Sequence, residues 1–321
     1  MQSSPFRLLA AALIGAATLC HAGEPKKLLV VTVTTGFRHS SIPVSERVLA
    51  RLAEQTGEFT LEFARQPDDK PEAPRAPRPP APDAAPETHA AHAAAAERYE
   101  AARTAYEAAL ADWNRRLAEA LRPLAPESLA AFDGVIFANT SGDLPIPDPE
   151  AFLAWIQSGK AFIGIHAASD TFHSWPAYRE MLGGQFLRHG PQAAATLHNC
   201  DPTHPATAHP GPAWTIALEE FYEFKNYEAA KVRELLRLDR HPNTQTPGHY
   251  PLAWRRDYGQ GRVFYTALGH REDLWDADPA LKNRKNSPET SLAFQQHLLG
   301  GIRWALGIPA PDRNHAPPPE P

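Results

Sequence analysis

The chain has 321 residues, 43% of them hydrophobic, and 32 basic residues against 37 acidic ones give a formal net charge of −5. This length and apolar content suit one large domain or two small ones with a real core, and they exclude a disordered protein. The negative balance argues against a nucleic-acid footprint, so we expect no nucleic-acid partner.

The N-terminus has the pattern of a secretory signal. Arg7 precedes the apolar run LLAAALIGAATL, and small residues at Cys20 and Ala22 suit a signal peptidase site. The run is too short to span a bilayer, so we expect no stable membrane anchor. A lipid attached to Cys20 is the less favoured alternative. The pattern predicts that residues 1–22 are a signal peptide cleaved near Ala22, and that the mature protein is periplasmic or secreted.

The next segments alternate between strand and helix until a change of composition interrupts them. Residues 26–36, KKLLVVTVTTG, are typical of a buried parallel strand, 41–57 of a helix and 59–66 of a second strand. Residues 67–86 are too rich in proline for helix or sheet and predict a flexible, extended linker. Residues 87–122 are rich in Ala, Glu and Arg and predict a long inserted helix.

The inserted helix carries one apolar stripe. Tyr99, Tyr106 and Trp113 recur every seven residues, with leucines beside them. Such a stripe must pack on something. Packing against its own domain is the favoured interpretation, and pairing with a second copy, which would make a homo-oligomer, is the alternative.

After the insertion the alternation of strand and helix resumes. The predicted segments are a strand and turn at 132–143, a helix at 149–159, a strand and turn at 160–170, a strand and turn at 259–273 and a helix at 291–307. This rhythm predicts an α/β fold, a parallel sheet with helices on both faces. We expect one α/β domain made of residues 23–66 and 123–309, followed by a disordered tail at 310–321.

Polar motifs follow four of the predicted strands. They are Gly36 to His39, Asn139 to Asp143, His166 to Asp170, and Gly269 to Asp273. Ligands of open parallel sheets bind in the crevice outside the carboxyl ends of the strands. We therefore expect His39, His166 and His270 to meet at one edge of the sheet.

The stretch FIGIHAASDTFH, residues 162–173, places His166 directly after a buried strand. Many α/β hydrolytic enzymes have serine or cysteine at that sharp turn. A thiolate there would form an acyl intermediate, whereas a histidine titrates near neutral pH, so we expect His166 to transfer protons or to ligate a metal.

Several motifs, in this order, resemble the ThuA-like family, named for trehalose utilisation. They are TVTTGFRHSSI, LAAFDGVIFANTSGD, FIGIHAASDTFHSWPAYREMLGGQFLRH, LEEFYEF and PLAWRRDYGQGRVFYTALGH. The resemblance implies a class I glutamine amidotransferase-like, flavodoxin-like fold and a role in carbohydrate metabolism. The amidotransferases carry a cysteine nucleophile where this chain has His166, so their activity is not implied. The insertion at 67–122 departs from the family, whose members usually have a short acidic loop there.

The resemblance also supplies candidate residues for substrate binding. Trp175 and Tyr178 are placed either to stack on a sugar face or to pack in the core. His189 matches a family histidine, and Glu220 and Tyr222 match an acidic and aromatic motif. The substrate-binding candidates are Asn139, Asp170, Trp175, His189, Tyr222 and Arg271.

The catalytic candidates are His39, His166, Glu220 and His270. A carboxylate beside histidines supports general acid–base catalysis, or it joins them around a divalent metal such as zinc. In the metal hypothesis the ligands include His39, His166 and His270. His204, in the histidine-rich HNCDPTHPATAHP, is a secondary candidate.

These observations predict a periplasmic or secreted enzyme of carbohydrate catabolism, a hydrolase, lyase or isomerase, whose partner is a small sugar substrate. The expected substrate is a glycoside or a keto-sugar. The alternative is a non-catalytic carbohydrate-binding module tethered to partners through the inserted helix. That alternative gives no reason for gathering several titratable groups at one sheet edge.

Overall fold

The computed structural model describes residues 24–309. The predicted signal peptide, 1–22, and the predicted tail, 310–321, therefore lie outside the described residues. Within 24–309, no helix combines the length and the apolar character needed to cross a membrane.

Nine strands form one sheet and two more form a separate ribbon. In sheet order the nine are β2 (Phe59–Ala64), β1 (Lys26–Val31), β3 (Gly134–Ala138), β4 (Ala161–Ile165), β11 (Gly261–Thr266), β10 (Pro247–Tyr258), β9 (Arg233–Arg240), β6 (Ala193–Asn199) and β7 (Ala213–Glu219). The antiparallel ribbon pairs β5 (Gln185–His189) with β8 (Tyr222–Lys225).

The first five strands of that order are parallel, as the sequence predicted. Their order, with β11 in fifth place, is the flavodoxin-like 2-1-3-4-5. The α/β prediction is thus confirmed.

The other half of the sheet is antiparallel, from β10 to β7. None of the strands β6 to β10 was predicted from the sequence. Strands of this half, such as β6 and β7, alternate buried with exposed residues and lack the uninterrupted apolar run of β3 and β4.

Helices cover both faces of the parallel half. They are α1 (Ile42–Thr56), α2 (Pro86–Ala120), α3 (Pro126–Leu129), α4 (Pro149–Gln157), α5 (Pro176–Leu182), α6 (Glu272–Trp275) and α7 (Pro288–Leu306), with short 3-10 turns at Arg122–Leu124, His166–Asp170 and Ala229–Lys231. Phe137 of β3 meets Phe152 of α4 and Tyr178 of α5 at ring distances of 5.8 and 6.2 Å. On the opposite face, Phe264 of β11 meets His297 of α7 at 5.4 Å.

Residues 67–120, which we name the inserted arm, leave the domain after β2 and return before β3. Residues 67–85 contain neither helix nor strand, and α2 follows. Trp113 and Leu117, near the end of α2, are buried in the domain core, whereas Tyr99 and Tyr106 are half-buried. The part of the apolar stripe nearest the domain thus packs on the chain's own core. Pairing with a second copy stays a prediction.

The proline-rich segment of the arm is joined to α2 by specific contacts. The indole of Trp113 donates a hydrogen bond to the Pro67 carbonyl at 3.1 Å, and Arg116 pairs with both carboxylate oxygens of Asp69 at 2.8 and 2.9 Å. Every third residue from Pro71 to Pro80 is half-buried. This is the period of a polyproline II helix, which has three residues per turn. One side of the segment is therefore covered along its length.

Candidate functional site

Three strand-end loops and the link between β7 and β8 bring four side chains together. His39 follows β1, His166 follows β4, His270 follows β11 and Glu220 follows β7. Each offers one possible ligand atom, and these atoms all lie within 4.8 Å of one another. We name this set the His/Glu cluster. Parallel strands end at the same edge of a sheet, so residues up to 231 positions apart meet there.

The three imidazoles are in mutual contact. The ring centroid of His39 lies 4.8 Å from that of His166 and 5.2 Å from that of His270, and His166 and His270 are 5.3 Å apart. All three pairs meet edge to face. His166 is fully buried and His39 is 5% exposed, so both rings are shielded from bulk solvent.

The turn after β4 fixes the orientation of His166. Its backbone φ is +50°, a left-handed conformation that non-glycine residues seldom adopt. Its Nδ1 lies 2.7 Å from the Ala267 carbonyl oxygen, which can only accept, so Nδ1 carries the proton. The lone pair of Nε2 then accepts a hydrogen bond from the Tyr222 hydroxyl at 2.9 Å. The Tyr265 hydroxyl donates to the His166 carbonyl at 2.8 Å.

The carboxylate of Glu220 links the cluster to a more exposed histidine. One of its oxygens, Oε1, lies 3.3 Å from Nδ1 of His270 and 3.6 Å from Nε2 of His166. The other, Oε2, lies 3.0 Å from Nδ1 of His189, whose side chain is 44% exposed. His189 therefore stands between the buried carboxylate and solvent.

Burial keeps two of the cluster histidines neutral. Desolvation, reinforced by the neighbouring His270, lowers the pKa of His39 to about 4. Desolvation also lowers the pKa of His166 well below its ordinary value, with His39 and His270 adding to the effect. For His270, burial opposes protonation but the adjacent Glu220 carboxylate prevails and raises its pKa. Neutral imidazoles keep the lone pairs that metal ligation requires.

A second carboxylate supports the cluster from beneath. Glu219 is fully buried and accepts a hydrogen bond from the backbone N–H of His270 at 2.8 Å. Burial raises its pKa to about 7, against the lowering effect of His270. Of the pair Glu219 and Glu220, it is Glu220 that faces the imidazoles.

The donor set fits a divalent cation. Nδ1 of His39 is buried and has no hydrogen-bond partner, and Nδ1 of His270 faces only the Glu220 carboxylate, at 3.3 Å. A buried polar atom without a partner costs free energy, and an ion bound between these atoms would remove that cost. Three imidazoles and a carboxylate are ligands that zinc accepts. The four residues therefore offer side chains of the types that bind a divalent metal, with ligand atoms within 4.8 Å of one another.

Two other predicted site residues, Asn139 and Asp170, lie in supporting positions. Asn139 is fully buried, and its amide nitrogen donates to Ser41 Oγ at 2.9 Å and to the Gly269 carbonyl at 3.3 Å. It thus ties the loop of His39 to the loop of His270. Asp170 accepts a hydrogen bond from His173 at 2.6 Å.

The remaining candidates contact protein groups outside the cluster. The Trp175 ring packs on Phe172 and Tyr178, 5.1 and 5.9 Å between centroids, and Tyr178 is buried, in agreement with core packing. The guanidinium of Arg271 pairs with Asp273 at 2.8 and 3.1 Å. His204 is 4% exposed, lies against Trp304 at 5.5 Å and is not part of the cluster.

Sequence reasoning missed several residues of the site. Tyr265 and the Ala267 carbonyl hold His166, and both lie in the quoted motif RVFYTALGH, where nothing marked their role. Phe37 lies in the motif Gly36 to His39, and its ring meets the His39 ring edge to face at 4.8 Å. An alternation argument would have placed Tyr265 on the same face as Val263 but could not have named its partner.

Comparison with known proteins identifies relatives of the chain. The family model described as ThuA, trehalose utilisation, matches residues 85–305. A thua-like protein of Parabacteroides merdae is 19% identical, with a TM-score of 0.60 over 90% of this chain and 92% of that chain. Another from Bacteroides uniformis is 15% identical, with a TM-score of 0.54 over 90% and 94%. These two likenesses show the fold alone. No curated protein gave a significant match.

Proposed function

Because the chain belongs to the ThuA family, whose description is trehalose utilisation, we propose that it is a metal-assisted enzyme of carbohydrate catabolism. Its substrate is a glycoside or a keto-sugar, and the reaction is a hydrolysis, an elimination or an isomerisation. The reacting carbon lies over the His/Glu cluster. The proposal places the enzyme in the periplasm or outside the cell, because of the predicted signal peptide at residues 1–22.

One observation carries the proposal. His39, His166, Glu220 and His270 present four donor atoms within 4.8 Å of one another, on loops that the fold fixes. Protons bound by such closely placed imidazoles would repel one another, and burial disfavours charge on His39 and His166. A cation of charge two satisfies all four donors at once. Acid–base chemistry without a metal leaves the buried Nδ1 atom of His39 without a partner.

In the proposed reaction the metal would supply Lewis acidity, and the residues of the chain would hold and orient its ligands. A divalent ion such as zinc, held by His39, His166, Glu220 and His270, would supply Lewis acidity to a sugar carbonyl or hydroxyl. His166 keeps its orientation through the Ala267 carbonyl, which fixes the proton on Nδ1 and leaves Nε2 for ligation. The backbone contact of Glu219 positions His270 in the same way.

Two groups beside the cluster are placed to handle protons. The Tyr222 hydroxyl lies 2.9 Å from His166 Nε2, and burial raises the pKa of Tyr222 well above its ordinary value, so it remains a donor. His189 reaches the carboxylate of Glu220 and is 44% exposed, so it can pass a proton between the buried site and solvent. General acid and base groups must lie within hydrogen-bond reach of the reacting atoms, and both residues lie within that distance of a member of the His/Glu cluster.

Glutamine amidotransfer is not proposed, because the position of the cysteine nucleophile is held by His166. Within residues 24–309 the only cysteine is Cys200, an exposed residue just after β6 in the antiparallel half of the sheet. A thiolate therefore has no place at the turn after β4.

The test combines metal analysis with turnover. The purified wild type is analysed by mass spectrometry of its metals, before and after a chelator, and assayed with trehalose and 3-keto-trehalose. We expect about one divalent ion per chain, and turnover that the chelator abolishes and added metal restores. His166→Asn removes one ligand and should lose both metal and turnover. Asparagine is chosen because it tolerates the left-handed backbone at this position, so the variant should still fold.

A matched variant controls for the loss of one imidazole. His89→Gln removes a histidine on the exposed start of α2 and should change neither metal content nor turnover. If His166→Asn turned over sugars at the wild-type rate, or if wild type bound no divalent metal at any concentration and still turned over sugars, the metal-assisted proposal would be wrong.

A further inference from the structure

Phe37 exposes an aromatic ring beside the His/Glu cluster. Among residues 24–309 it is the most exposed large apolar side chain, at 66%, and its ring meets the His39 ring at 4.8 Å and 82°. His39 belongs to the cluster, so whatever binds there comes within reach of the Phe37 ring. A single exposed apolar residue on a surface needs no explanation by itself. The position against the cluster is what distinguishes Phe37 from Leu187 and Leu292, the other exposed large apolar side chains.

The backbone of Phe37 is held firmly although its ring is exposed. Its carbonyl accepts a hydrogen bond from Ser141 Oγ at 2.6 Å, and the N–H of Gly36 donates to the Ser141 carbonyl at 3.2 Å. Gly142, at a φ of +76°, lies so close to Thr35 and Gly36 that a Cβ there would overlap them. Two strand-end loops are thus locked together beneath Phe37. The backbone position of Phe37 is therefore fixed, and its exposed ring lies edge to face against the His39 ring.

An exposed aromatic ring with a fixed backbone, placed beside polar groups, suits one class of ligand. A pyranose ring carries hydroxyl groups at its rim and C–H groups on its face, so it needs both an aromatic surface and hydrogen-bonding or metal-ligating groups. The cluster supplies the polar partners, and Phe37 supplies the only large apolar surface that contacts it from an exposed position among the described residues. Burial of aromatic surface stabilises a complex, and the fixed backbone of Phe37 has little conformational entropy left to lose on binding.

We infer that Phe37 is the platform on which the apolar face of a pyranose substrate packs while the reacting part of the sugar lies over the His/Glu cluster. This inference rests on the proposed function and narrows its substrate class to cyclic sugars. Phe37 takes no part in bond making or breaking. Its role is to set the affinity for the sugar and to choose pyranosides over small acyclic compounds that present no such face.

The experiment measures sugar binding and turnover separately. Binding of trehalose and 3-keto-trehalose to metal-loaded wild type, Phe37→Ala and Phe37→Trp is followed by saturation-transfer NMR and calorimetry. We expect Phe37→Ala to weaken binding roughly three- to tenfold, the factor for one aromatic contact, and to raise KM by the same factor with kcat unchanged. Phe37→Trp should bind at least as tightly as wild type. Leu292→Ala removes an exposed apolar side chain on α7 and should change nothing.

The possible results separate the two proposals. Equal sugar affinity in wild type and Phe37→Ala would overturn the platform. A fall in bound metal, or in kcat with KM unchanged, would also overturn it, because Phe37 would then act through His39. Absence of sugar binding by metal-loaded wild type would overturn it too. Weakened binding in Phe37→Ala, in a protein that neither holds metal nor turns over sugars, would support the platform and refute the metal-assisted enzyme.

Discussion

The buried imidazole of His297 makes the stability of the fold depend on pH, and the structure gives the size of the effect. His297 lies on α7, is 1% exposed, and packs among Phe264, Phe294 and Trp214. Its Nδ1 donates to the Ala206 carbonyl at 2.8 Å, and its Nε2 has no partner. Burial lowers its pKa from the ordinary 6.5 to about 4, against a small opposing effect of the Ala206 carbonyl.

The direction of the pH dependence of folding stability follows from how many protons the folded and unfolded states bind. Below pH 6.5 the unfolded chain protonates this histidine, whereas the folded protein does not until pH falls near 4. The unfolded state therefore binds more protons in that window, and folding stability falls as pH falls through it. The contribution of His297 is fully present above pH 6.5. From the pKa difference, wild type should lose about 2 kcal/mol between pH 7 and pH 5 through this residue alone.

The assay compares wild type with His297→Asn. Asparagine keeps a donor for the Ala206 carbonyl and does not titrate, so the variant is less stable at pH 7 but should lose less stability on acidification. Urea unfolding curves at several pH values give the free energy of unfolding of each protein, and the difference between them is the readout. His89→Gln, on the exposed start of α2, should follow wild type at every pH. A difference between wild type and His297→Asn that stays constant from pH 7 to pH 4 would refute the reasoning.

Two further predictions concern the site and the inserted arm. Tyr222→Phe removes the hydroxyl that donates to His166 Nε2 at 2.9 Å. Zinc should then bind roughly three- to tenfold more tightly in a chelator competition titration, the equivalent of one net hydrogen bond. Weaker zinc binding would mean that Tyr222 supports His166 as a ligand instead of competing with the metal for its Nε2. Trp113→Ala empties a fully buried site at the base of the arm and should lower the free energy of unfolding by about 3–5 kcal/mol. Tyr99→Ala, at a half-buried position, should cost clearly less, and equal losses would contradict the proposed anchoring at Trp113.

The parallel half of the fold and the convergence of histidines were predictable because both follow from strong local patterns. Residues 161–165 are buried without interruption, and a run of that kind marks a central parallel strand. Once His39, His166 and His270 are placed after parallel strands, the shared edge of the sheet brings them together. No distance needs to be known for that step.

The antiparallel half and the details of the site were not predictable from local pattern. β6 buries only Leu197 fully, so its place in the sheet is decided by its neighbours β7 and β9. Glu220 was named over Glu219 through the family resemblance, because local pattern does not tell which of two adjacent carboxylates faces the imidazoles. The exposure of Phe37 depends on loops from β1 and β3 locking together, and this is tertiary information.

The contact between Trp113 and the Pro67 carbonyl means that the chain leaves the domain and returns to it at two neighbouring points. Everything between those two residues is an excursion whose ends a few residues of turn could join, without any strand of the sheet changing register. The segment between these two residues is therefore a site where a reporter domain or a tether could be inserted without changing the His/Glu cluster.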